Sequence, residues 1–392
     1  MPLYMKGLDS KNDQIQAYFS DEDLWDLLFG LGMGASGGGG GYTIGQALVN
    51  AIIREIPPYR RVLTPVSQAL ASDFAVMAGG IGAPSAITPS TITIFAEYAM
   101  AAINAYRKDK GVNINALVPV EAGPVNALLA LYLGWKYGLK VFDCDGAGRA
   151  VPSLTNLVFG YNSYPIAPLY LAGVKSGHPG IVAGEVLPPP RDAAAAEAAI
   201  RDNLGQYGNA AGLVCWGQTG EQLRNSPYLI ADQFNVLRDL GSKLRNAISV
   251  PETIYILRQS PLVDNVYVTR LEAIQTDPRP GYDDGMLVFK DLNTSEQLKI
   301  KYENENMLMQ AGNKIVTAPN GISMLFQISG GLVPLNNGDD LQQKGLIGAF
   351  ALVVVLKERC VLYQGEVAGS FLNVLKADPF DYDGPIQPTD CV

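Results

Sequence analysis

The chain has 392 residues, 48% of them apolar and 17% charged, with a formal net charge of -9 and an isoelectric point near 4.8. Such a length calls for two domains, and such a composition for a packed globular protein. The acidic balance argues against a nucleic-acid partner, which needs a basic face, and against a basic membrane-surface helix.

Met1 to Ser20 is polar and mixed in charge, so it does not read as a signal peptide. Apolar residues at helical spacing place a helix over Asp21–Leu31, with Ser20 or Asp21 as its cap. It runs into Gly32-Met33-Gly34-Ala35-Ser36 and then five consecutive glycines, Gly37 to Gly41, before a second helix over 44–55. A glycine loop that opens a helix offers backbone N–H groups to an anion; the plain alternative is a flexible linker. The loop is neither a Rossmann turn nor a P-loop, because it follows a helix and no Gly-Lys-Ser/Thr closes it. No nucleotide is expected.

Phe74–Met77, Ala116–Val120 and Leu139–Phe142 read as short buried strands, alternating with helices over 93–107 and Val125–Tyr137. Each strand ends in a glycine-containing turn, which indicates an α/β layer whose three turns share one edge and form a single cleft. The third turn, Asp143-Cys144-Asp145-Gly146-Ala147-Gly148-Arg149-Ala150-Val151-Pro152, is the richest. Asp143 and Asp145, two apart in an extended segment, point the same way. Gly146 and Gly148 permit a sharp turn, and Arg149 offers a planar fork for a carboxylate. The same residues also suit a strand end held by an ion pair.

Leu187-Pro188-Pro189-Pro190 punctuates the chain, followed by helical patterns over Asp192–Leu204 and Pro227–Arg245. From Ser249 the texture alternates, at 266–270, 286–289, 298–302 and 315–317, with turns at Asp283–Gly285 and Asn337–Asp339. The expected organisation is an N-terminal α/β layered domain with glycine-rich turns over 1–185, a helical segment over 186–248, and a C-terminal β-rich domain over 249–392. Glu303-Asn304-Glu305-Asn306 reads, taken alone, as a solvated turn. The longest apolar stretches fall short of the roughly 20 residues a membrane helix needs, so no membrane partner is expected.

Cys144, Cys215, Cys360 and Cys391 are far apart and suggest neither a zinc site nor a disulfide framework, which fits a reduced cytoplasm. His178, the one histidine, lies in a turn by composition. A multi-histidine zinc site within one chain is thereby ruled out, and a Ser-His-Asp triad would have to use His178.

Together these motifs resemble the S-methyl-thiohydantoin desulfurase family, some members of which travel with hydantoinases and oxoprolinases. The resemblance spans most of the chain. It rests on the Gly37–Gly40 run after a helix, Gly80 to Pro84, the Glu121 turn with Asn126, and the Asp143-to-Pro152 stretch. Further along it takes in Asn304-Glu305-Asn306, Ala318-Pro319 and Phe380-Asp381-Tyr382. The resemblance implies hydrolytic removal of sulfur from a five-membered ring, with a divalent metal as an optional cofactor. Water must be activated and developing charge stabilised. The implied catalytic residues are Glu121, Asp143, Asp145, Arg149 and Glu305, and the substrate-binding ones Gly37, Gly38, Gly39, Gly40, Asn126, Asn304 and Asn306. A metal would draw on Asp145, Glu121 and His178. The partner is a small heterocycle.

The chain departs from the family pattern in one direction. Gly41 and Tyr42 stand where an acidic residue and a proline are expected, Gly123-Pro124 replaces a glycine pair, Ser153 replaces a glutamate, and Asn320 an aspartate. Two readings follow: a hydrolase with an altered site, or a non-catalytic relative that keeps the fold for ligand binding or self-assembly. The apolar and tyrosine content suits a homo-oligomer.

Overall fold

The computed structural model describes residues 18–82, 88–161, 164–277, 284–317, 321–337, 340–341, 345–377, 380–386 and 391–392. The expected features at 83–84, 283, 318–320 and 338–339, and most of the N-terminal stretch, lie outside them.

Two sheets carry the chain. In the first, β1 (Thr64–Pro65), β2 (Phe74–Gly82), β3 (Ala116–Pro119), β4 (Lys140–Asp145), β5 (Tyr170–Val174), β6 (Ile181–Glu185) and β7 (Ala210–Thr219) run in the order β1-β4-β3-β2-β7-β5-β6, and β8 (Ile230–Ala231) pairs with β4. The β1–β4, β4–β3 and β3–β2 pairs are parallel, while β7 enters antiparallel to β2. The stretch 186–248, expected to be helical, thus contains a strand inside the first sheet. Side-chain alternation covers both faces: Val76, Ala78 and Leu117 point to one core, Ala75, Met77 and Val118 to the other.

The first core lies under helices α1 (Asp21–Gly34), α2 (Tyr42–Glu55), α3 (Ile92–Lys110) and α4 (Asn126–Tyr137). Ser20 caps α1 through a capping box, in which the Asp23 N–H donates to Ser20 Oγ at 3.1 Å and the Ser20 N–H to Asp23 Oδ2 at 2.9 Å. On the opposite face lies α5 (Ala193–Leu204), with Asp192 as its cap. The short α6 (Gly220–Arg224) and the longer α7 (Gln233–Arg245) and α8 (Val250–Gln259) follow.

The second sheet is antiparallel. It contains β9 (Val263–Thr276), β10 (Asp284–Asp291), β11 (Gln297–Glu303), β12 (Glu305–Ala311), β13 (Lys314–Thr317), β14 (Ile322–Ile328), β15 (Gly331–Pro334) and β16 (Phe350–Leu356), ordered β13-β12-β11-β10-β9-β16-β14-β15. One face holds Leu325, Leu352 and Val354 against Phe29 and Met33 of α1, Leu240 of α7 and Leu257 of α8. The final helix α9 (Gly365–Lys376) packs Phe371 and Leu375 on Met307 of β12 and Val158 of the first domain. Helix α1 therefore serves both domains. Among the described residues no helix is long and apolar enough to cross a membrane.

Contrary to the expectation from cysteine spacing, Cys360 and Cys391 form a disulfide, with Cα atoms 4.9 Å apart. It closes the chain end onto the segment after β16, where Val392 N–H donates to Glu358 O at 2.9 Å. Cys144 and Cys215 are buried free thiols, as expected.

Helices α1 and α7 touch backbone to backbone. A Cβ on Gly30 would stand 1.9 Å from the Leu237 carbonyl oxygen, and one on Gly241 1.9 Å from that of Asp26. Gly241→Ala should force the helices apart and cost about 3 kcal/mol or more, read as a lower urea midpoint. Gly369→Ala, in α9 with open space around it, should instead stabilise by about 0.5–1 kcal/mol.

Candidate active site between the two domains

Because β2, β3 and β4 are parallel, their carboxyl ends share one edge, where open α/β sheets place ligands. There the domains enclose a cavity of about 140 Å³. Its walls are the Gly37–Gly41 loop, Gly80 to Gly82, Val120 and Glu121, Val151 to Leu154, Glu197 and Arg201 of α5, and, from the second domain, Asn304, Glu305, Asn336 and Asn337.

The glycine loop is an ordered wall of this cavity. Its carbonyls and N–H groups are taken by both domains. Asn306 N–H donates to Ser36 O at 2.7 Å, Asn337 N–H to Gly37 O at 2.8 Å, and Val125 N–H to Gly39 O at 2.9 Å. Asn336 Nδ2 donates to Gly38 O and Gly40 O, both at 2.6 Å. No side chain fits here: a Cβ on Gly38 would lie 1.9 Å from Glu305 Oε1, and one on Gly39 2.5 Å from the Gly123 Cα. The anion expected at the start of α2 is the protein's own Asp340, which accepts from Tyr42 N–H at 2.7 Å and from Thr43 Oγ1 at 3.1 Å.

Two carboxyl groups face each other's charge in the cavity, one from each domain. Glu121 accepts from Asn126 Nδ2 at 2.7 Å and from Val151 N–H at 2.9 Å, one bond on each oxygen. Glu305 accepts from Gly39 N–H at 3.2 Å through Oε1, while its buried Oε2 has no donor among the described residues. Burial raises the Glu121 carboxyl above its ordinary range, against its two hydrogen bonds and Arg149. Burial, and then the charge of Glu121, push Glu305 well above its own. Both effects favour the protonated form of the acid. Buried Oδ1 atoms of Asn336 and Asn337 are likewise without donors among the described residues.

The aspartates of the Asp143-to-Pro152 stretch are placed elsewhere. Neither lines the cavity. Asp143 accepts from Phe234 N–H at 2.9 Å and from Asn235 Nδ2 at 2.5 Å, and so caps α7. Asp145 holds its own turn, accepting through Oδ1 from Ala147 N–H at 2.7 Å and Gly148 N–H at 2.5 Å. Arg149 is also outside the lining. It donates from Nε to Ala150 O at 2.8 Å and from Nη2 to Asn306 O at 3.2 Å, and Nη1 lies 3.8 Å from Glu358 Oε1. It therefore sits behind the cavity and acts on Glu121 and Glu305 only through its charge. Glu303, Glu305 and Asn306, expected in a solvated turn, are buried at the β11–β12 connection, which Asn304 turns with φ 53°. Asn306 braces the glycine loop instead of lining the cavity, whereas Asn126 and Asn304 do line it. His178 is exposed in the β5–β6 hairpin, away from Glu121 and Asp145. Among the described residues, no three His, Cys, Asp or Glu side chains are grouped to hold a metal ion. The donor set proposed for a metal thus does not fit.

Sequence reasoning missed Asn336, Asp340, Glu197, Arg201 and Glu358. The only signal for the first two was the turn composition around 337–339. Two of them stand where carboxylates looked lost. A Cβ on Gly41 would lie 3.4 Å from Asp340 Oδ2, and Glu197 Oε2 accepts from Leu154 N–H at 3.0 Å, one residue past Ser153.

A glycine loop clamped between an α/β layer and an antiparallel sheet, closing over two buried glutamates, defines a two-domain protein with an interdomain cleft. Profiles of the S-Me-THD-like N-terminal and C-terminal domains match residues 22–181 and 191–341. The chain belongs to this family, whose name connects it with thiohydantoins. A protein of Chromobacterium violaceum with a crystal structure is similar over 95% of this chain and 100% of that one, at 25% identity and a TM-score of 0.76. Among curated proteins, none matches.

Behind the cavity, burial pushes Asp145 up to about 7 against its turn hydrogen bonds, and Glu358 up to about 7 against Arg149 and Arg359. A carboxyl whose folded pKa exceeds its unfolded value stabilises the fold below the unfolded value and loses that contribution as pH rises through the folded one. Between pH 5 and pH 8, Asp145 should thus lower the unfolding free energy by on the order of 2 kcal/mol. Asp145→Asn should flatten the pH dependence by that amount in urea titrations at the two pH values. An unchanged slope would show that Asp145 carries no such proton.

Proposed function

We propose that the protein is a hydrolase of thiohydantoin-type five-membered rings, which replaces the sulfur substituent of a ring carbon with oxygen. The observation that carries this reading is the pairing of two buried glutamates across the cavity with unequal hydrogen bonding. Glu121, with a donor on each oxygen, is the better carboxylate. Glu305, with one oxygen lacking a donor among the described residues and its carboxyl pushed well up, is the better acid. Environments that push two titratable groups apart assign base and acid.

The two glutamates can carry the chemistry between them. Glu121 takes a proton from water as its oxygen bonds to the sulfur-bearing carbon, and Glu305 protonates sulfur as the C–S bond breaks and a thiol leaves. The hydroxyl on the ring carbon becomes a carbonyl as its proton moves to the adjacent ring nitrogen. Transfer of a proton from Glu121 to Glu305 restores the pair. Asn336 Oδ1 and Asn337 Oδ1 supply acceptors for ring N–H groups, which leaves fewer buried polar atoms unpaired.

Asp340 beside Gly41 and Glu197 beside Ser153 also favour the hydrolase over a non-catalytic relative, because each puts a carboxylate near a position where one looked absent. On this reading the wild type releases thiol from S-methyl-thiohydantoins, followed with a thiol reagent. Glu305→Gln should lower kcat by about 10²–10⁴-fold while ring binding changes little. Absence of thiol release across a panel of such rings, with and without added divalent cations, would count against the hydrolase.

A further inference from the structure

The cavity lining has two groups of different character. In one group, Glu305 and Asn336 are hydrogen-bonded to the glycine loop, and Glu121 and Asn337 line the same cavity. In the other, Ile81 from the end of β2, Leu213 from β7, and Leu154 and Leu157 from the turn after β4 form an apolar wall. These four belong to the cluster packed beneath α5. Asn126 links the groups: its Nδ2 donates to Glu121 and its Oδ1 accepts from Gly80 N–H, next to Ile81, at 3.3 Å. A ring hydrogen-bonded to the polar group leaves the apolar wall for its substituent.

Next to Leu154 of that wall stands a charge pair one helical turn apart on α5. Arg201 donates from Nε to Glu197 Oε1 at 2.8 Å, and its Nη2 lies 2.7 Å from the same oxygen. The other Glu197 oxygen is held by Leu154 N–H. Arg201 is the one Lys, Arg or His among the described lining residues, and Glu197 meets its charge, while Glu121 and Glu305 add two further carboxyl groups. An anionic substituent would meet carboxylates and an already paired guanidinium; a cationic one would lose hydration against leucine side chains.

We infer that the ring accepted by this site carries an uncharged, branched aliphatic substituent, seated on Ile81, Leu154, Leu157 and Leu213, and that the Glu197–Arg201 pair excludes an acidic one. This rests on the ring-hydrolase reading above and adds the class of substituent. Each buried methylene is worth about fourfold in affinity.

Calorimetric titration of the full chain with 5-methyl-, 5-isobutyl- and 5-(2-carboxyethyl)-hydantoin tests it. The isobutyl ring should bind at least about tenfold more tightly than the methyl ring, and the carboxyethyl ring most weakly. Glu197→Gln, which removes one carboxylate charge from the lining while keeping an acceptor for Leu154 N–H, should tighten the carboxyethyl ring by about tenfold and leave the isobutyl ring within about twofold. Ile81→Ala should weaken the isobutyl ring by about tenfold and spare the methyl ring, a readout independent of how well the Glu197 variant folds. A wild type that prefers the carboxyethyl ring, or a Glu197→Gln variant with unchanged selectivity, overturns the substituent inference alone. Failure of all three rings to bind overturns the ring reading and this inference with it.

Discussion

The closure of the Ser36–Gly41 loop between two sheets is the constraint on which the rest depends. This loop has too little room for any side chain at Gly38 or Gly39, and both domains use its peptide groups as hydrogen-bond partners. Ordering several successive glycines is entropically expensive. Here that cost is offset by bonds from Asn306, Asn336, Asn337 and Val125. Ser36 adds a side-chain bridge, accepting from Ile322 N–H at 2.9 Å. The two domains are thereby locked in one register, and Glu121 of the first is brought to Glu305 of the second. A looser linker would let the carboxyl groups separate, and with them would go the mutual charge that raises Glu305.

In and behind the cavity the same closure buries four carboxyl groups. Glu121, Asp145, Glu305 and Glu358 all lie within the electrostatic reach of Arg149 or Arg359, and all are raised by burial. Arg359 itself donates to Gln233 Oε1 at 2.6 Å, and Gln233 Nε2 donates to Gly148 O at 2.7 Å. Charges taken out of water are costly unless paired. Arg149 meets that cost for three of the four, which makes it a positioning charge for the cavity although it touches no part of the lining.

Much of the fold was legible because its signals are local. The helical spacing of Asp21–Leu31, the alternating stretches at 266–270, 286–289, 298–302 and 315–317, and the glycine-punctuated strands at 74, 116 and 139 all reappear as elements, whereas the residues just after Ser249, expected in the β-rich part, form helix α8. β7 was not legible. Its Ala210–Thr219 stretch is rich in small residues because α3 lies on it, so close that a Cβ on Gly212 would stand 2.4 Å from Ala99 N. Composition there reports the helix above, not the strand. The disulfide escaped for a related reason: Cys360 and Cys391 are 31 residues apart, and only the return of the chain end to Glu358 brings them together.

The site was legible in its position and misleading in its members. The edge formed by β2, β3 and β4 follows from parallel strands, and Glu121 follows from that edge. Asp143 and Asp145 carry the same outward signal, two carboxylates at a strand end, yet serve the backbone. What separates them from Glu121 lies far along the chain: the donors to Asp143 come from residues 91 and 92 positions later. Glu305 shows the reverse. In a polar tetrad it looks like solvent-facing turn chemistry, and it becomes the most strongly perturbed group of the cavity because a loop some 266 residues earlier folds over it. A carboxylate's identity and strand position tell where it points; whether it caps a helix, holds a turn or keeps a proton for chemistry is decided by how many N–H donors the rest of the fold brings to its two oxygens.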